Sequence, residues 1–429
     1  MNMNKDTLKT VLSDQRETFA QKLKAEHIIR RDGLNAAAKY ISHPNVLLVT
    51  GMRRAGKSVF AHLLAGKSRY AFVNFDDERL AGFKTEDFNM LLECCHELYS
   101  GWEILILDEV QNIKNWELFV SRLRENHRLI VTGSNANLLS SELASRLTGR
   151  FVAHTLFPLS FGEYARFNSF RVTGDSLRSS RAKAGLHGLF SGYLLSGGIF
   201  ECHKFGDEFA RSLFNSIITK DIAIRYAVRH TAALEEFALL VVNYFTGKLS
   251  LRKISAALAI KSSNTAREYL GYLENTFLLF TLNRFSYKVK EQLSTFRKVY
   301  VADNGLIKAL SLGGSPDKGK LLENLVAIEL RRRAAAGDFS FFYWENNSVE
   351  CDFVCRRGRK FVLACQVCYD LNMGNRKRET AGLVAACKEL GLSEGLILTM
   401  DQEEAFSEQG IGIAVIPVWK WLLKGSGEH

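Results

Sequence analysis

One short segment, NVLLVTGMRRAGKSVFAHLLAG (residues 45–66), constrains the fold of this chain more than any other. Its first part, 45–50, is an apolar, β-branched run of the kind found in buried parallel strands. The next eight residues follow the pattern G-x-x-x-x-G-K-S, and a stretch with helical periodicity comes directly after them. A strand, a loop and a helix in this order present backbone N–H groups to phosphate at the start of the helix. The segment therefore predicts a phosphate-binding loop on an α/β sheet.

The chemistry of phosphate binding assigns a role to the main residues of this loop. Gly51 and Gly56 allow the backbone to curl around the β-phosphate, and Lys57 is predicted to reach the β- and γ-phosphates. The hydroxyl of Ser58 is predicted to ligate Mg²⁺. We expect ATP to be bound by the whole loop and the start of its helix, which comprise Gly51, Met52, Arg53, Arg54, Ala55, Gly56, Lys57, Ser58 and Val59.

Two later strand-like runs supply polar residues of the kind that hydrolysis requires. The run 104–107 ends in Asp108 and Glu109, and the run RLIVTG is followed by Ser134 and Asn135. Asp108 is predicted to hold Mg²⁺ through water, and Glu109 to polarise the attacking water. Ser134 and Asn135 are candidates to orient that water beside the γ-phosphate. The alternative is an acidic strand end that simply faces solvent, and the phosphate loop upstream argues against it.

Two arginines follow the strand-like run RLIVTG, at a position from which they could reach the nucleotide of a neighbouring subunit. Arg146 and Arg150 are candidates for an arginine finger, which stabilises transition-state charge and raises turnover by about 10³–10⁵. A finger donated in this way predicts a homo-oligomer. A surface salt bridge is the alternative for either side chain.

Several motifs together resemble a prokaryotic family of AAA+-type ATPases. The motifs that carry this resemblance early in the chain are GMRRAGKS, LDEVQN followed by Trp116, VTGSNANLLSSELASRLTGR and FPLSFGEY. The later ones are GGIFE (197–201), DNGL (303–306), LLENLVAIEL (321–330) and VIPVWKWLL (415–423). The resemblance covers nearly the whole chain. It implies a P-loop core similar to the archaeal-type ATPases related to origin-recognition proteins, joined to a C-terminal domain of unknown function. It assigns no cellular task.

Residues 230–285 have helical periodicity and contain the outline of a helix-turn-helix. Ser250 is predicted to cap the first short helix, and Ser263 or Asn264 the second. The apolar faces are predicted to be Ile254, Ala257 and Leu258 on the first helix, and Ala266, Tyr269, Leu270 and Leu273 on the second. A strand-like run follows, so a winged-helix domain is expected.

The second of these helices would face a DNA groove if the domain binds DNA. The candidate contacts are Lys261, Ser262, Ser263, Asn264, Thr265 and Arg267. Serine, threonine and lysine suit phosphates, whereas asparagine and arginine also reach base edges. The alternative is a winged-helix domain that packs ATPase rings or binds a protein.

From about residue 321 the pattern becomes a helix, three strands, a helix and a strand, which resembles the restriction-endonuclease-like fold. That fold implies an acid on one strand and an acid-x-lysine on the next. Here Asp352 fits the first acid and Glu323 a helical acid, but Gln366 and Cys368 stand where the second acid and the lysine belong. We therefore predict a degenerate nuclease site used for binding or assembly. An active nuclease and an unrelated α/β domain are the alternatives.

Four cysteines lie within 18 positions in this region, Cys351, Cys355, Cys365 and Cys368. Their spacing is loosely that of a four-cysteine zinc site. The knuckle turns of a zinc ribbon are missing from the sequence, with only Gly358 nearby. We expect these cysteines to be small buried apolar residues.

Charge and hydropathy limit the partners and the location. The net charge of +11 favours an anionic partner, nucleic acid or nucleotide phosphate. The polar N-terminus has no apolar segment of a signal peptide, and no apolar run is long enough to span a bilayer. We expect a cytoplasmic protein that does not associate with membranes.

The expected fold class is α/β, with a P-loop NTPase core of the AAA+ type, a helical and winged-helix middle, and a C-terminal restriction-endonuclease-like α/β domain. The predicted divisions are an N-terminal helical segment (1–44), the ATPase core (45–168), a helical connector (169–229), the winged-helix-like domain (230–290) and the C-terminal domain (291–429).

The predicted function is that of an ATPase that uses Mg²⁺ and ATP to switch conformation or assembly, with DNA as a partner. A switch that binds a protein client without nucleic acid is the alternative, and an ATP-regulated nuclease is a lesser one.

Overall fold

The computed structural model describes residues 3–41, 45–139, 150–172, 179–260, 262–294, 296–337, 339–346 and 349–424. The chain forms two compact units. The first unit comprises Met1–Phe157 with Asn275–Phe277, and the second comprises Pro158–Glu274 with Leu278–His429.

The first unit is built on a parallel sheet of five strands in the order β2-β3-β4-β1-β5. The strands are β1 (Val46–Thr50), β2 (Tyr70–Asn74), β3 (Ile104–Asp108), β4 (Arg128–Gly133) and β5 (Phe151–Thr155). Strand β4 lies between β1 and β3, so the strands that carry the loop and the acidic pair both border it. The strands predicted around residues 45–50, 104–107 and 128–133 are confirmed.

Helices cover both faces of this sheet, which is why its central strands are apolar without alternation. The helices are α1 (Lys5–Ala25), α2 (Leu34–Ala38), α3 (Lys57–Ala65), α4 (Phe88–Leu98) and α5 (Trp116–Leu123). Side chains from α1, α4 and α5 share a core with Val46, Leu48 and Leu105. Side chains from α2 and α3 share the opposite core with Leu47 and Ile106. Alternate residues of β1, β2, β3 and β4 thus fill two cores.

The second unit begins with helices and ends with a mixed sheet. Its helices are α6 (Phe161–Phe167), α7 (Ser180–Ser196), α8 (Phe200–Ser216), α9 (Thr231–Asn243), α10 (Leu251–Ala257), α11 (Ser263–Asn275), α12 (Val289–Ser294), α13 (Asn304–Leu310), α14 (Lys318–Ala336), α15 (Arg376–Leu390) and α16 (Val418–Leu423). A π-helical segment, Ile217–Ile224, continues α8. No helix in the described parts of the chain has both the length and the apolar composition to cross a membrane.

Helices α9, α10 and α11 are followed by two strands of a small antiparallel sheet. That sheet has the order β6-β8-β7, with β6 (Lys248–Leu249), β7 (Leu279–Leu282) and β8 (Arg297–Val301). Ser250 caps α10 as predicted, by accepting the Lys253 N–H. The predicted second cap differs, because α11 begins at Ser263 and the Ser262 hydroxyl accepts the Asn264 N–H.

The predicted apolar face of α11 is confirmed and that of α10 is confirmed in part. Ala266, Tyr269, Leu270 and Leu273 are buried. On α10, Ile254 is buried, but Ala257 is exposed and Leu258 only half-buried. The reason is the length of α10: Ala257 is its last residue and Leu258 is its C-cap, so the helix ends before they can form a buried face.

The C-terminal part forms a six-stranded mixed sheet in the order β13-β14-β12-β11-β10-β9. Its strands are β9 (Ser340–Asn346), β10 (Val349–Arg357), β11 (Lys360–Val367), β12 (Glu394–Thr399), β13 (Glu404–Glu408) and β14 (Ile411–Pro417). The predicted order of helix, three strands, helix and strand is found in α14, β9 to β11, α15 and β12. The hairpin of β13 and β14 was not predicted, and it extends the sheet beyond β12.

Candidate functional site

The phosphate loop lies at the carboxyl end of β1 and has the backbone of a tight anion-binding turn. Gly51 has φ +146° and Gly56 has φ +90°, and Arg54 also takes a positive φ of 68°. A Cβ atom on Gly51 would lie 2.1 Å from the carbonyl oxygen of Leu156, so only glycine fits there. Helix α3 begins at Lys57 directly after the turn. The loop therefore delivers its N–H groups and the start of a helix to one place.

Lys57 is buried in this turn and is held by two acceptors. Its ammonium lies 3.2 Å from the carbonyl oxygen of Met52 and 3.1 Å from Oε1 of Glu109. Only 4% of the side chain is exposed. Lys57 and Glu109 are far apart in the sequence, and they come into contact because β1 and β3, which they follow, end on either side of β4 at the same edge of the sheet.

Ser58 and Asp108 form the pair that the sequence predicted as ligands of Mg²⁺. The Ser58 hydroxyl donates to Oδ2 of Asp108 at 2.8 Å, and the Thr132 hydroxyl donates to Oδ1 at 2.5 Å. Thr132 in turn accepts the N–H of Glu109 at 3.1 Å. A hydroxyl and a carboxylate are oxygen donors of the type that Mg²⁺ prefers, so this donor set fits the ion.

Glu109 is fixed by a side chain two residues further on. The Gln111 amide donates to Oε2 of Glu109 at 2.5 Å and to the Ser134 hydroxyl at 3.3 Å. Glu109 also has a positive φ of 53°, a left-handed conformation that is costly for a residue with a side chain. Lys57 and Gln111 therefore hold the Glu109 carboxylate from two directions, and the left-handed backbone conformation sets the direction in which the side chain leaves the chain.

The two acids have opposite pKa shifts. Burial and the neighbouring charge of Glu109 raise the pKa of Asp108 above its usual range. Burial alone would raise the pKa of Glu109 as well, but Lys57 and the bond from Gln111 outweigh it and hold the pKa low. Glu109 is thus an ionised carboxylate at neutral pH, as the activation of a water requires.

A second buried charged cluster lies in the C-terminal part, around the predicted degenerate nuclease residues. Lys298 of β8 places its ammonium 3.1 Å from Glu323, 3.2 Å from Asp352 and 2.5 Å from Glu350. Tyr300 donates to the same oxygen of Glu323 at 2.8 Å. The structure therefore brings Glu323 and Asp352 together, and adds a lysine from a strand outside the predicted motif.

Gln366 and Cys368 make hydrogen bonds within the domain. Gln366 accepts the Asp352 N–H at 3.2 Å through its side-chain oxygen and donates to Glu379 at 3.0 Å. The Cys368 thiol donates to the carbonyl of Asp370 at 3.1 Å. All eight cysteines are free and buried, as predicted for the four in this region. Among the described residues, no group of three or more His, Cys, Asp and Glu side chains has an arrangement that could hold a metal.

Comparison with known proteins places recognised domains on these units. A model described as an AAA domain matches residues 43–165. Two models described as domains of unknown function, DUF8612 and DUF4143, match residues 193–317 and 318–421. The AAA match spans the phosphate loop, the acidic pair and all five strands of the parallel sheet.

Two relatives resemble the chain over most of its length. The uncharacterized protein MJ1544 of Methanocaldococcus jannaschii is 32% identical over 400 residues, 89% of this chain and 89% of that protein. The chain belongs to the family of this archaeal protein. An uncharacterized protein of Haemophilus influenzae is 29% identical over 420 residues, 92% of this chain and 99% of that protein. This family member is an AAA-family P-loop ATPase by its domain content, and the AAA domain implies nucleotide binding.

One solved structure that aligns with the chain is that of the Walker-type ATPase of Pyrococcus abyssi. The alignment covers 66% of this chain and 96% of that chain at 14% sequence identity, with a TM-score of 0.43.

The structure adds three residues to the AAA-domain site that sequence reasoning missed. Thr132 and Gln111 hold the two acids, and Arg31 donates to the carbonyls of Ala55 in the loop (2.9 Å) and of Phe157 (2.7 Å). The positions of Gln111 and Thr132 could have marked them as site residues. Gln111 lies two residues after Glu109, and Thr132 lies near the end of β4. Arg31 lies outside every motif.

The remaining candidates of the AAA domain are less closely tied to the acidic pair. Asn135 is buried after β4, and its side-chain oxygen accepts the N–H of Asn137 at 2.8 Å. Arg150 is exposed at the start of β5, and its carbonyl accepts the Val46 N–H at 3.1 Å. Arg146 lies outside the described residues.

The candidate DNA contacts lie at the start of α11. Ser262, Ser263, Asn264 and Arg267 are exposed, and Thr265 is half-buried. Lys261 lies outside the described residues. The described candidates thus lie just before α11 or in its first turns, and all but Thr265 are exposed to solvent.

Proposed function

We propose that this AAA-family protein hydrolyses ATP with Mg²⁺ and uses the turnover to switch its conformation or assembly on DNA. The observation that carries the hydrolysis is the chain of contacts from Ser58 through Asp108 and Thr132 to the ionised Glu109. In this proposal Ser58 and Asp108 hold the Mg²⁺, which supplies positive charge to the phosphates. Lys57 binds the β- and γ-phosphates, and Glu109 accepts a proton from the attacking water.

The direct test is ATP turnover by purified protein carrying Lys57→Ala or Glu109→Gln. Both variants are expected to lose turnover, the first with weakened nucleotide binding and the second with binding retained. Lys67→Ala is the matched control, because Lys67 is an exposed lysine just after the end of the same helix. Wild-type turnover in Glu109→Gln would show that the site assignment is wrong.

The DNA part of the proposal is supported by the arrangement of α9, α10, α11 and the three-stranded sheet, which is that expected of a winged helix. The start of α11 exposes Asn264 and Arg267, side chains that suit a groove, and the chain is strongly basic. Duplex DNA is therefore expected to bind with a strong salt dependence and to stimulate turnover.

Arg267→Glu is expected to weaken duplex binding and remove the stimulation, while basal turnover stays unchanged. Lys220→Glu, an exposed lysine on the π-helical segment, controls for the loss of positive charge. If no DNA changes turnover or binds at low salt, the DNA part fails and the switch acts on a protein client.

For the C-terminal domain we propose a nuclease-like fold that serves in binding a partner or in assembly and does not cleave nucleic acid. Lys298 forms ion pairs with both Glu323 and Asp352, and Gln366 supplies an amide where the fold would use a second acid. We expect no Mg²⁺-dependent cleavage of DNA. Cleavage that disappears in Asp352→Ala would overturn this proposal.

A further inference from the structure

The segment between β7 and β8, of which the structure describes residues 283–294 and 296, contains α12 and combines positive charge with exposed aromatic rings. We call it the wing segment. Tyr287 is 71% exposed and Phe296 is 58% exposed, far more than is usual for side chains of this size. Lys288 and Lys290 are also exposed, and Lys288 contacts one acid, Glu291, at 3.0 Å. Rings this exposed cost free energy in water, which makes them candidates for a ligand that stacks.

A second basic feature is the tip of the β10–β11 hairpin, residues 356–360, which comprises the strand ends and the turn between them and which we call the basic hairpin. It reads Arg-Arg-Gly-Arg-Lys, and its tip turns at Gly358, which has φ +58°. Arg357, Arg359 and Lys360 are exposed. Across the described residues, no carboxylate lies within ion-pair distance of these three side chains. Their charges are therefore available to an anion.

Aromatic contacts join the wing segment to the base of the basic hairpin. The ring of Phe285 lies 4.8 Å from that of Phe361 and 5.7 Å from that of Phe342. The guanidinium of Arg356 lies over the Phe342 ring at 5.5 Å. These contacts place the start of the wing segment beside the base of the basic hairpin.

Tyr343 of β9 makes hydrogen bonds to both ends of the wing segment and so connects them to the six-stranded sheet. Its carbonyl accepts the Phe285 N–H at 2.7 Å, and its hydroxyl donates to the carbonyl of Phe296 at 2.5 Å. Phe285 also packs against Tyr287, with ring centroids 4.9 Å apart. These contacts hold the backbone beside both exposed rings in place. Less conformational entropy is then lost when a ligand binds to the rings.

We propose that the wing segment and the basic hairpin together bind single-stranded DNA. The phosphates contact Arg357, Arg359 and Lys360, and unpaired bases stack on Tyr287 and Phe296. Duplex DNA needs only the cations, because its bases are already stacked and paired, so the exposed rings favour the single strand. This inference rests on the DNA-binding part of the proposed function and adds to it a second surface and a second form of DNA.

The test is fluorescence anisotropy of the full-length protein with labelled oligothymidine and with a labelled duplex, at several salt concentrations. The double variant Tyr287→Ala, Phe296→Ala is expected to bind oligothymidine about tenfold more weakly or worse, with duplex affinity nearly unchanged. Phe205→Ala is the control, since Phe205 on α8 is 57% exposed. Thermal melting verifies that each variant is folded.

The double variant Arg357→Glu, Arg359→Glu is expected to weaken oligothymidine binding and to flatten its salt dependence. The slope should change by about 0.7 for each phosphate that the variant no longer neutralises. Lys220→Glu serves again as the charge control. Oligothymidine binding equal to wild type in either double variant would overturn the inference, as would binding to anionic vesicles without binding to oligothymidine.

The inference and the proposed function fail separately. If Arg267→Glu removes duplex stimulation while the ring variant binds oligothymidine normally, the inference fails and the duplex proposal stands. If the ring variant loses oligothymidine binding while duplex has no effect on turnover, the inference stands and the duplex proposal fails.

Discussion

Gln111 shows how much of the candidate site depends on one neutral side chain. Its amide reaches both the carboxylate of Glu109 and the hydroxyl of Ser134, and so links the ends of β3 and β4. A hydrogen bond to a charged group contributes about 1.5–3 kcal/mol. That range corresponds to about tenfold to a hundredfold in rate if the bond matters only for the reacting geometry.

We therefore expect Gln111→Met to lower kcat for ATP by about tenfold to a hundredfold, with nucleotide affinity close to wild type. The measurement is steady-state turnover together with nucleotide binding at equilibrium. Gln409→Met is a suitable control, because Gln409 accepts a hydrogen bond from Lys388 on the surface of the C-terminal domain. An equal loss of binding and turnover would mean that Gln111 shapes the pocket and does not orient Glu109.

The Lys298 cluster makes a prediction about pH. Three carboxylates share one ammonium, and burial, reinforced by the charge of Asp352, raises the pKa of Glu323 to about 7. The folded state then holds a proton that the unfolded chain has released, so stability decreases as pH rises from about 4.5 through about 7. In Glu323→Gln this decrease should flatten. Urea unfolding between pH 4.5 and 8 measures it, and an unchanged profile in the variant would refute the assignment.

At the scale of single elements, the close approach of α15 to β10 depends on one glycine. A Cβ atom on Gly382 would lie 1.8 Å from the carbonyl oxygen of Glu350, so the helix must move for any larger residue to fit. Gly188 on α7 is the contrasting case, because nothing lies within 4 Å of its added Cβ. The same substitution should therefore have opposite effects at the two positions.

Gly382→Ala is expected to destabilise the protein by about 1–3 kcal/mol, the usual effect of overpacking. Gly188→Ala should stabilise it by about 0.5–1 kcal/mol, because alanine favours helix. Chemical denaturation of both variants provides the comparison. Stabilisation by Gly382→Ala would show that α15 and β10 can separate without cost.

The elements that could be predicted from sequence are those whose signals are local. The strand, loop and helix around Gly51–Ser58 depend on a contiguous pattern, and the buried face of α11 depends on a period of three to four residues. Contacts between distant positions were not predictable in this way. Lys298 lies 54 positions before Asp352, and no local pattern marks it as the cation that meets this acid. Arg31 was missed for the same reason.

Across the second unit, two lysines connect the small sheet to the six-stranded sheet. Lys248 and Lys298 are register partners on β6 and β8, a pairing of like charges that is unfavourable by itself. Together they contact four acids of the C-terminal part, Glu323, Glu345, Glu350 and Asp352. The small sheet and the C-terminal sheet are therefore expected to unfold together.

Lys298→Met removes the shared cation of this buried network. We expect the substitution to lower the free energy of unfolding by about 3–5 kcal/mol. Lys290→Met, on the exposed wing segment, should change stability little. The measurement is urea unfolding followed by circular dichroism and by tryptophan fluorescence. A wild-type-like midpoint for Lys298→Met would show that the two sheets are joined mainly by other contacts.

The contact between Lys57 and Glu109 has a consequence for the proposed reaction. In that proposal Lys57 binds the phosphates and Glu109 accepts a proton from the attacking water, and the structure pairs these two side chains with each other. A triphosphate that binds Lys57 would therefore compete with Glu109 for the same ammonium. We expect nucleotide binding to draw Lys57 away from Glu109, so that ATP itself would make the carboxylate accessible to the water.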